Sequence, residues 1–176
     1  MSSTPEGIVY LAMSLDGFIA GPDGDMAWLD EAAGSGEDTG FEEHFNSIDA
    51  LILGRASHDF VRSFGQWPYG DKRCLVMSRS KGETMANEEF FSGSPAELME
   101  KMEGEGRKRL YIDGGGLVRA FMREGFIQEI AITMIPIILG KGIALFSEEV
   151  PRRKLELMDS KQFASGLVQV KYRVSS

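Results

Sequence analysis

Apolar residues recur along this chain in two rhythms, one suited to buried strands and one to helices. Ile8-Val9-Tyr10-Leu11-Ala12-Met13 is a continuous apolar run closed by Ser14, which predicts a strand covered on both faces. Gly17 to Gly24 reads as a glycine-rich turn region, and a stretch holding Trp28 and Leu29 follows it. Apolar positions 41, 45 and 48 then fall at helical spacing, predicting a helix from Phe41 to Ile48. Ala50-Leu51-Ile52-Leu53 and Cys74-Leu75-Val76-Met77 are short apolar strands, one running into Gly54-Arg55 and the other into Ser78-Arg79-Ser80.

Further on, Ser94-Pro95-Ala96-Glu97 carries a helix start: Ser94 as N-cap, Pro95 at the first helical position and Glu97 closing a capping box. The helix it opens buries Leu98, Met99 and Met102. Leu110-Tyr111-Ile112 reads as a strand, leading through Asp113-Gly114-Gly115-Gly116 into a helical segment from Leu117 to Arg123. Ile127 to Leu139 is apolar and rich in isoleucine, so a strand is expected that bends or ends near Pro136. Val168, Val170, Tyr172 and Val174 alternate with polar residues as in a half-exposed last strand, with Arg152 to Met158 its antiparallel neighbour. Strands alternate with helices up to about residue 125 and then stand alone. That order implies an α/β sheet with an antiparallel C-terminal extension.

A chain of 176 residues with 43% hydrophobic content suits one domain, spanning 1–176. Neither a signal peptide nor a membrane span is legible, so a cytoplasmic protein is expected. A single Cys74 and two histidines leave no zinc-ligand pattern. The net charge of -8 opposes non-specific attraction to nucleic acid or an anionic membrane, and directs attention to a small-molecule partner.

Among candidate residues, Gly114-Gly115-Gly116 stands out, because glycines between a strand and a helix let backbone approach a pyrophosphate at the helix N-terminus. The same glycines also suit a tight structural turn. Arg55 with Ser57, and Ser78 with Arg79 and Ser80, form two further strand ends able to grip phosphates. Taken singly, each arginine reads as a solvated surface charge; together with the glycine turn they describe a polyphosphate ligand such as a dinucleotide. Trp28 reads first as a core residue, and Cys74 as a buried inert thiol.

Taken together, Ala12-x-Ser14-Leu15-Asp16-Gly17-x-Ile19-Ala20, Trp28-Leu29, Gly54-Arg55-x-Ser57, Ser78-Arg79-Ser80, Gly114-Gly115-Gly116 and Pro136-x-x-Leu139-Gly140-x-Gly142-x-x-Leu145-Phe146 resemble a known family. The chain is similar, from about Ile8 to Val174, to the dihydrofolate-reductase-like reductase domain of the bifunctional riboflavin-biosynthesis deaminase-reductase and its stand-alone bacterial relatives. The resemblance implies an α/β, dihydrofolate-reductase-like fold: a mostly parallel, twisted sheet of about eight strands flanked by helices, with antiparallel C-terminal strands. It also implies an NADPH-dependent oxidoreductase. By that similarity Ala12 and Ile19 bracket the nicotinamide, Gly54, Arg55 and Ser57 hold the pyrophosphate side, and Ser78 and Arg79 meet the 2′-phosphate. Gly114, Gly115, Gly116, Leu117 and Val118 pass beneath the pyrophosphate, and Trp28 lies on a mobile loop that closes over the nicotinamide.

On the substrate side the resemblance leaves alternatives open. Asp38 and Thr133 match the carboxylate on the first helix and the later threonine with which dihydrofolate reductases bind a pterin, yet Glu42 replaces an aromatic residue and Lys72 an arginine clamp. Asp113 matches in kind the acidic residue that contacts substrate in the riboflavin-pathway reductase. The deaminase motifs are absent from this sequence. Reduction of a pyrimidine- or pterin-like heterocycle is the expected reaction, with Asp38, Asp113 and Thr133 on the substrate side. 5-Amino-6-(5-phosphoribosylamino)uracil comes first as substrate, dihydrofolate is the alternative, and a non-catalytic NADP(H)-binding or regulatory protein is a third reading. A homodimer through Ile130 to Leu139 and Gly140 to Phe146 is expected by the same resemblance.

Overall fold

The computed structural model describes residues 4–33 and 36–175, apart from the side chains of 32 and 33. Among the described residues, ten strands and five helices follow one another as β1 (Glu6–Ser14), β2 (Phe18–Ala20), α1 (Ala27–Ala33), α2 (Phe41–Ser47), β3 (Ala50–Gly54), α3 (Arg55–Ser63), β4 (Arg73–Met77), β5 (Glu88–Phe91), α4 (Pro95–Gly104), β6 (Arg109–Asp113), α5 (Gly115–Arg123), β7 (Ile127–Ile135), β8 (Ile143–Ala144), β9 (Leu155–Gln162) and β10 (Val168–Val174). Eight strands form one sheet in the order β5-β4-β3-β6-β1-β7-β10-β9, and β2 pairs β8 in a separate ribbon. From β5 to β7 every pairing is parallel, and β10 runs antiparallel to both β7 and β9. The dihydrofolate-reductase-like α/β architecture implied by the sequence is therefore present.

Alternation along the strands sorts the core into two faces. Val9, Ile52, Leu75, Leu110, Ile112, Ile130 and Ile132 join α4 and α5 residues such as Leu98, Met102, Val118 and Phe121 in the largest cluster. Leu51, Leu53, Cys74 and Tyr111 point the other way, with Ile48, Phe45, Trp67 and Tyr69 against them. Helix α4 begins as its sequence dictates: the capping box of Ser94 and Glu97 is formed, Pro95 leads, and Leu98, Met99 and Met102 are its buried residues.

Several expectations change. The turn region after Gly17 contains β2, and Trp28 sits on α1, 6% exposed, packed with Ile135 and Leu167. Trp28 thus stands on a helix where a mobile loop was expected, with its indole buried in the core as its residue type first suggested. The last antiparallel pair starts at Leu155 rather than Arg152. Finally, β7 is a central strand with β1 and β10 on its two edges, and Ile130, Ile132 and Ile135 are core. Within the segments expected at a homodimer interface, Ile130, Ile132 and Ile135 are buried in the chain, whereas Ile138, Ile143 and Phe146 are exposed.

Candidate active site at the C-terminal strand ends

Two turns meet at the C-terminal edge of the sheet. Gly54 caps α3, and Gly114 caps α5 with φ 115, a left-handed value that favours glycine. A Cβ on Gly114 would stand 2.9 Å from Ser57 Oγ and 3.6 Å from the Gly54 amide nitrogen. A Cβ on Gly115 would fall 2.5 Å from Ile19 Cδ1, so β2 lies directly against the second turn. Ser57, Gly54, Gly114, Gly115 and Ile19 are thereby brought together. Val118 donates its amide to Gly114 O at 2.8 Å and is 1% exposed. Its role is to anchor α5; Gly115, Gly116 and Leu117 supply the amides ahead of that first helical bond.

Arg55 and Ser57, expected to act together, are parted by the first turn of α3. The Arg55 guanidinium lies 5.7 Å from the Phe90 ring centroid, takes Asp59 at 3.0 Å, and donates to Ser80 Oγ at 3.4 Å. It lines a cavity of about 440 Å³ with Met77, Ser78, Arg79, Ser80 and Phe91. The Ser78 hydroxyl folds onto Ser80 O at 2.8 Å, and the exposed Arg79 makes no ion pair among the described residues. Both arginines therefore open onto one anion-compatible cavity, a different grouping from the pyrophosphate and 2′-phosphate pairs expected from the sequence.

The opposite flank is aromatic and acidic. Asp113 ends β6, and burial pushes its carboxyl up to about 6, with only the Gly114 amide opposing the shift. Its charge raises the hydroxyl pKa of Tyr69 and Tyr111 after burial has done most of the work, and Tyr111 Oη donates to Tyr10 O at 2.9 Å. His44 of α2 stacks on Tyr10 with centroids 4.5 Å apart and meets Tyr111 edge-on. Burial first, then Lys171 and Arg109, lower its pKa to about 4, so this imidazole is neutral at pH 7.

Thr133 is 5% exposed on β7, in register with Ala12 of β1. Its hydroxyl accepts from Gln169 Nε2 at 3.0 Å, and the same amide donates to Thr39 O at 2.9 Å. Tyr10 Oη also reaches Thr39 O, at 2.6 Å. Asp38 corrects an expectation: it precedes α2 rather than standing on a helix, is exposed, and accepts from the Gly40 amide at 2.8 Å. The backbone of Thr39, not the carboxylate of Asp38, joins Thr133. Lys72 gives its ammonium to Phe45 O and Ile48 O, at 3.0 and 2.8 Å, closing the C-terminus of α2.

Sequence reasoning missed Tyr10, Gln169, His44 and Asp16. Gln169 was legible in principle as a polar residue between the alternating valines of β10. Asp16 was quoted only as part of a turn, yet its carboxylate accepts from Ser14 Oγ at 2.7 Å, Gly140 N at 2.7 Å and Leu139 N at 3.1 Å. It staples the β1–β2 turn to the β7–β8 loop.

Comparison with known proteins agrees with this layout. Residues 5–169 match the family model of the RibD C-terminal domain. The chain is 38% identical over 168 residues to the Bacillus subtilis uncharacterized protein YwjB, covering 94% of this chain and 95% of that one. A solved putative riboflavin biosynthesis protein from Shewanella sp. PV-4 superposes with TM-score 0.88 at 32% identity, over 97% of this chain and 99% of that one. A Thermotoga maritima diaminohydroxyphosphoribosylaminopyrimidine deaminase/5-amino-6-(5-phosphoribosylamino)uracil reductase gives TM-score 0.70 at 16% identity; the match spans 98% of this chain and 57% of the larger protein.

Proposed function

The chain belongs to the RibD C-terminal domain family, and from that premise we propose that it is an NADPH-dependent reductase of a pyrimidine- or pterin-like heterocycle. One observation carries the reading: the turns after β3, β4 and β6 open at the same edge of the sheet, with Gly114 in a left-handed conformation, the Gly114 and Gly115 Cα positions packed against Ser57 and Ile19, and two arginines on one cavity. Backbone amides at the start of α5 and the Ser57 hydroxyl suit a pyrophosphate, and Arg55 and Arg79 with Ser78 suit a 2′-phosphate. NADPH, when bound, supplies the hydride. Ala12 and Ile19 flank the place for the nicotinamide, and Trp28 backs Ala12 from α1.

On the substrate side Asp113 is a carboxyl raised towards neutrality beside Tyr69 and Tyr111, suited to holding or delivering a proton at a ring nitrogen or carbonyl. Thr133, held by Gln169, offers one further polar contact. The solved Thermotoga maritima relative is described as acting on 5-amino-6-(5-phosphoribosylamino)uracil, which makes that heterocycle the first to try. Dihydrofolate is a weaker second, because Asp38 stands exposed and Lys72 is engaged by α2. Titration with NADPH and with NADH, followed by NADPH oxidation against each compound, is the test. Tight NADPH binding without oxidation of any heterocycle would turn the reading to a non-catalytic NADP(H)-binding protein. Absence of NADPH binding would sink both.

A further inference from the structure

We propose that His58 and Glu88 are a positioning pair that sets the preference for the cofactor's 2′-phosphate, an inference that rests on the NADPH reading above. The observation behind it is a polar contact sealed inside the fold. His58 Nε2 lies 3.1 Å from Glu88 Oε1, and both side chains are fully buried. Glu88 opens β5, and its carboxylate also accepts the amides of Met85 at 2.6 Å and Ala86 at 2.8 Å. A carboxylate already taking two amides is an acceptor, so the His58 Nε2–H donates to it. The other ring nitrogen, Nδ1, has no hydrogen-bond partner, since Asp59 Oδ1 stands 3.9 Å away.

Such a pair is a poor device for stability alone. Apolar residues of similar volume would fill the same space as well or better, because desolvating a carboxylate offsets most of what the contact contributes. An apolar pair, however, could not fix a turn in one place. Glu88 gathers the turn before it through two amides, and His58 moors that turn to α3.

The moored segment, residues 78–87, connects β4 to β5 and brings Ser78, Arg79 and Ser80 to the cavity of about 440 Å³ that they share with Arg55. Arg55, His58 and Arg62 stand at i, i+3 and i+7 on α3, a single stripe of that helix. All three reach this connection or the strand it enters. Arg55 donates to Ser80 Oγ at 3.4 Å and lies over the Phe90 ring, and a Cβ on Gly82 would come within 2.9 Å of Phe90 Cζ and 3.2 Å of Arg55 Cζ. Arg62 meets Glu83 at 2.6 Å, but the Glu83 side chain is 86% exposed, where an ion pair contributes little. Of these attachments, His58 to Glu88 alone is buried on both sides. Ser57, the residue before His58, packs against Gly114. One helix therefore touches the pyrophosphate turn at Ser57 and holds the 2′-phosphate loop through His58. Loosening the mooring releases Ser78 and Arg79 while leaving the amides at the start of α5 in place, so the loss falls on the 2′-phosphate.

The test uses the full chain with His58→Leu, His58→Gln and Glu88→Gln. Calorimetry gives the dissociation constants of NADPH and NADH, and urea unfolding shows which variants are folded. Expected in His58→Leu is a loss of about tenfold in NADPH affinity, the lower end of what one charge-assisted contact contributes, with NADH unchanged within about twofold. His58→Gln, whose amide can donate to Glu88, should keep most of the preference. Glu88→Gln must turn its NH2 towards one of the three donors, and should lower the preference as His58→Leu does. On the unmodified chain, NADPH should slow hydrogen exchange at the Met85 and Ala86 amides more than NADH does, a measurement that stands even where a variant fails to fold. Folded variants with the wild-type preference, equal weakening of both cofactors, or equal protection of the two amides overturns the inference; the pair is then core alone, and the NADPH reading is intact. If the unmodified chain binds NADPH no more tightly than NADH, the 2′-phosphate assignment itself falls and takes the inference with it.

Discussion

The Ser57 hydroxyl stands 2.9 Å from where a Cβ on Gly114 would lie, so the turns after β3 and β6 pack against each other at that point. Gly114 also holds φ 115. Gly114→Ala therefore combines backbone strain with a clash, and is expected to cost about 1–3 kcal/mol of stability and to weaken NADPH binding. Gly116, one helical position into α5, meets nothing nearer than Arg119 Nη2 at 3.9 Å. Gly116→Ala should leave stability unchanged or raise it by up to about 1 kcal/mol. Urea unfolding of the two variants reads the contrast; similar losses would mean that the close contact at Gly114 does not matter.

Arg55 and Arg79 open onto the same cavity, so their removal should have the same signature. Each arginine-to-alanine change is expected to remove about 1.5–3 kcal/mol from NADPH binding, raising its dissociation constant by roughly one to two orders of magnitude. NADH, which lacks the 2′-phosphate, should be little affected. Because Arg79 is exposed, its share should shrink at high salt. Calorimetric titrations of both cofactors settle the grouping: if Arg55→Ala weakens NADPH and NADH alike, that side chain serves the shared pyrophosphate.

Asp16 joins two loops that each carry part of the site: the turn leading to Ile19 and the loop leading to β8. Asp16→Ala should free the Leu139 and Gly140 amides, seen as faster hydrogen exchange there than in the interior of β7. The KM for NADPH should rise with little change in global unfolding. Unaltered exchange at both amides would show that the loops hold without the staple.

The legible parts of the fold were those where local rules agree with tertiary demand. Helix α4 is one case, since its cap, its proline and its buried Leu98, Met99 and Met102 all point to the same element. Strand β5 was invisible because Glu88 and Glu89 break its apolar pattern. Glu88 is nevertheless buried, with Met85 N at 2.6 Å, Ala86 N at 2.8 Å and His58 Nε2 at 3.1 Å around its carboxylate. No periodicity announces a carboxylate satisfied by the amides of the turn before it and by His58 of α3. At the site, glycines and strand-end arginines could be read in advance because turn chemistry is local. The partition of Arg55 from Ser57, and the Tyr10–Thr39–Gln169–Thr133 network, depend on side chains from distant strands converging, and only the register of β1, β7 and β10 reveals them.

Asp113 links the chemistry to pH. Burial raises its carboxyl to about 6 from a usual value of 3.8, so the folded protein binds a proton there that the unfolded chain has already lost. Stability from this group is fullest below about pH 4 and declines as pH rises through about 6, where ionisation must occur in a desolvated place. Asp113→Asn removes that cost, and should stabilise the protein at pH 7 relative to its effect at pH 4 by on the order of 1–3 kcal/mol. In the Asp113→Asn variant catalysis should move in the opposite sense to stability at pH 7. If Asp113 delivers a proton, kcat/KM falls as pH rises through about 6, and Asp113→Asn both lowers it by two or more orders of magnitude and abolishes that limb. Parallel urea unfolding and pH–rate profiles on the two proteins separate the effects. A variant that gains stability at pH 7 yet keeps the wild-type profile would leave Asp113 as a strained structural carboxyl and move the proton source to another group on the aromatic flank.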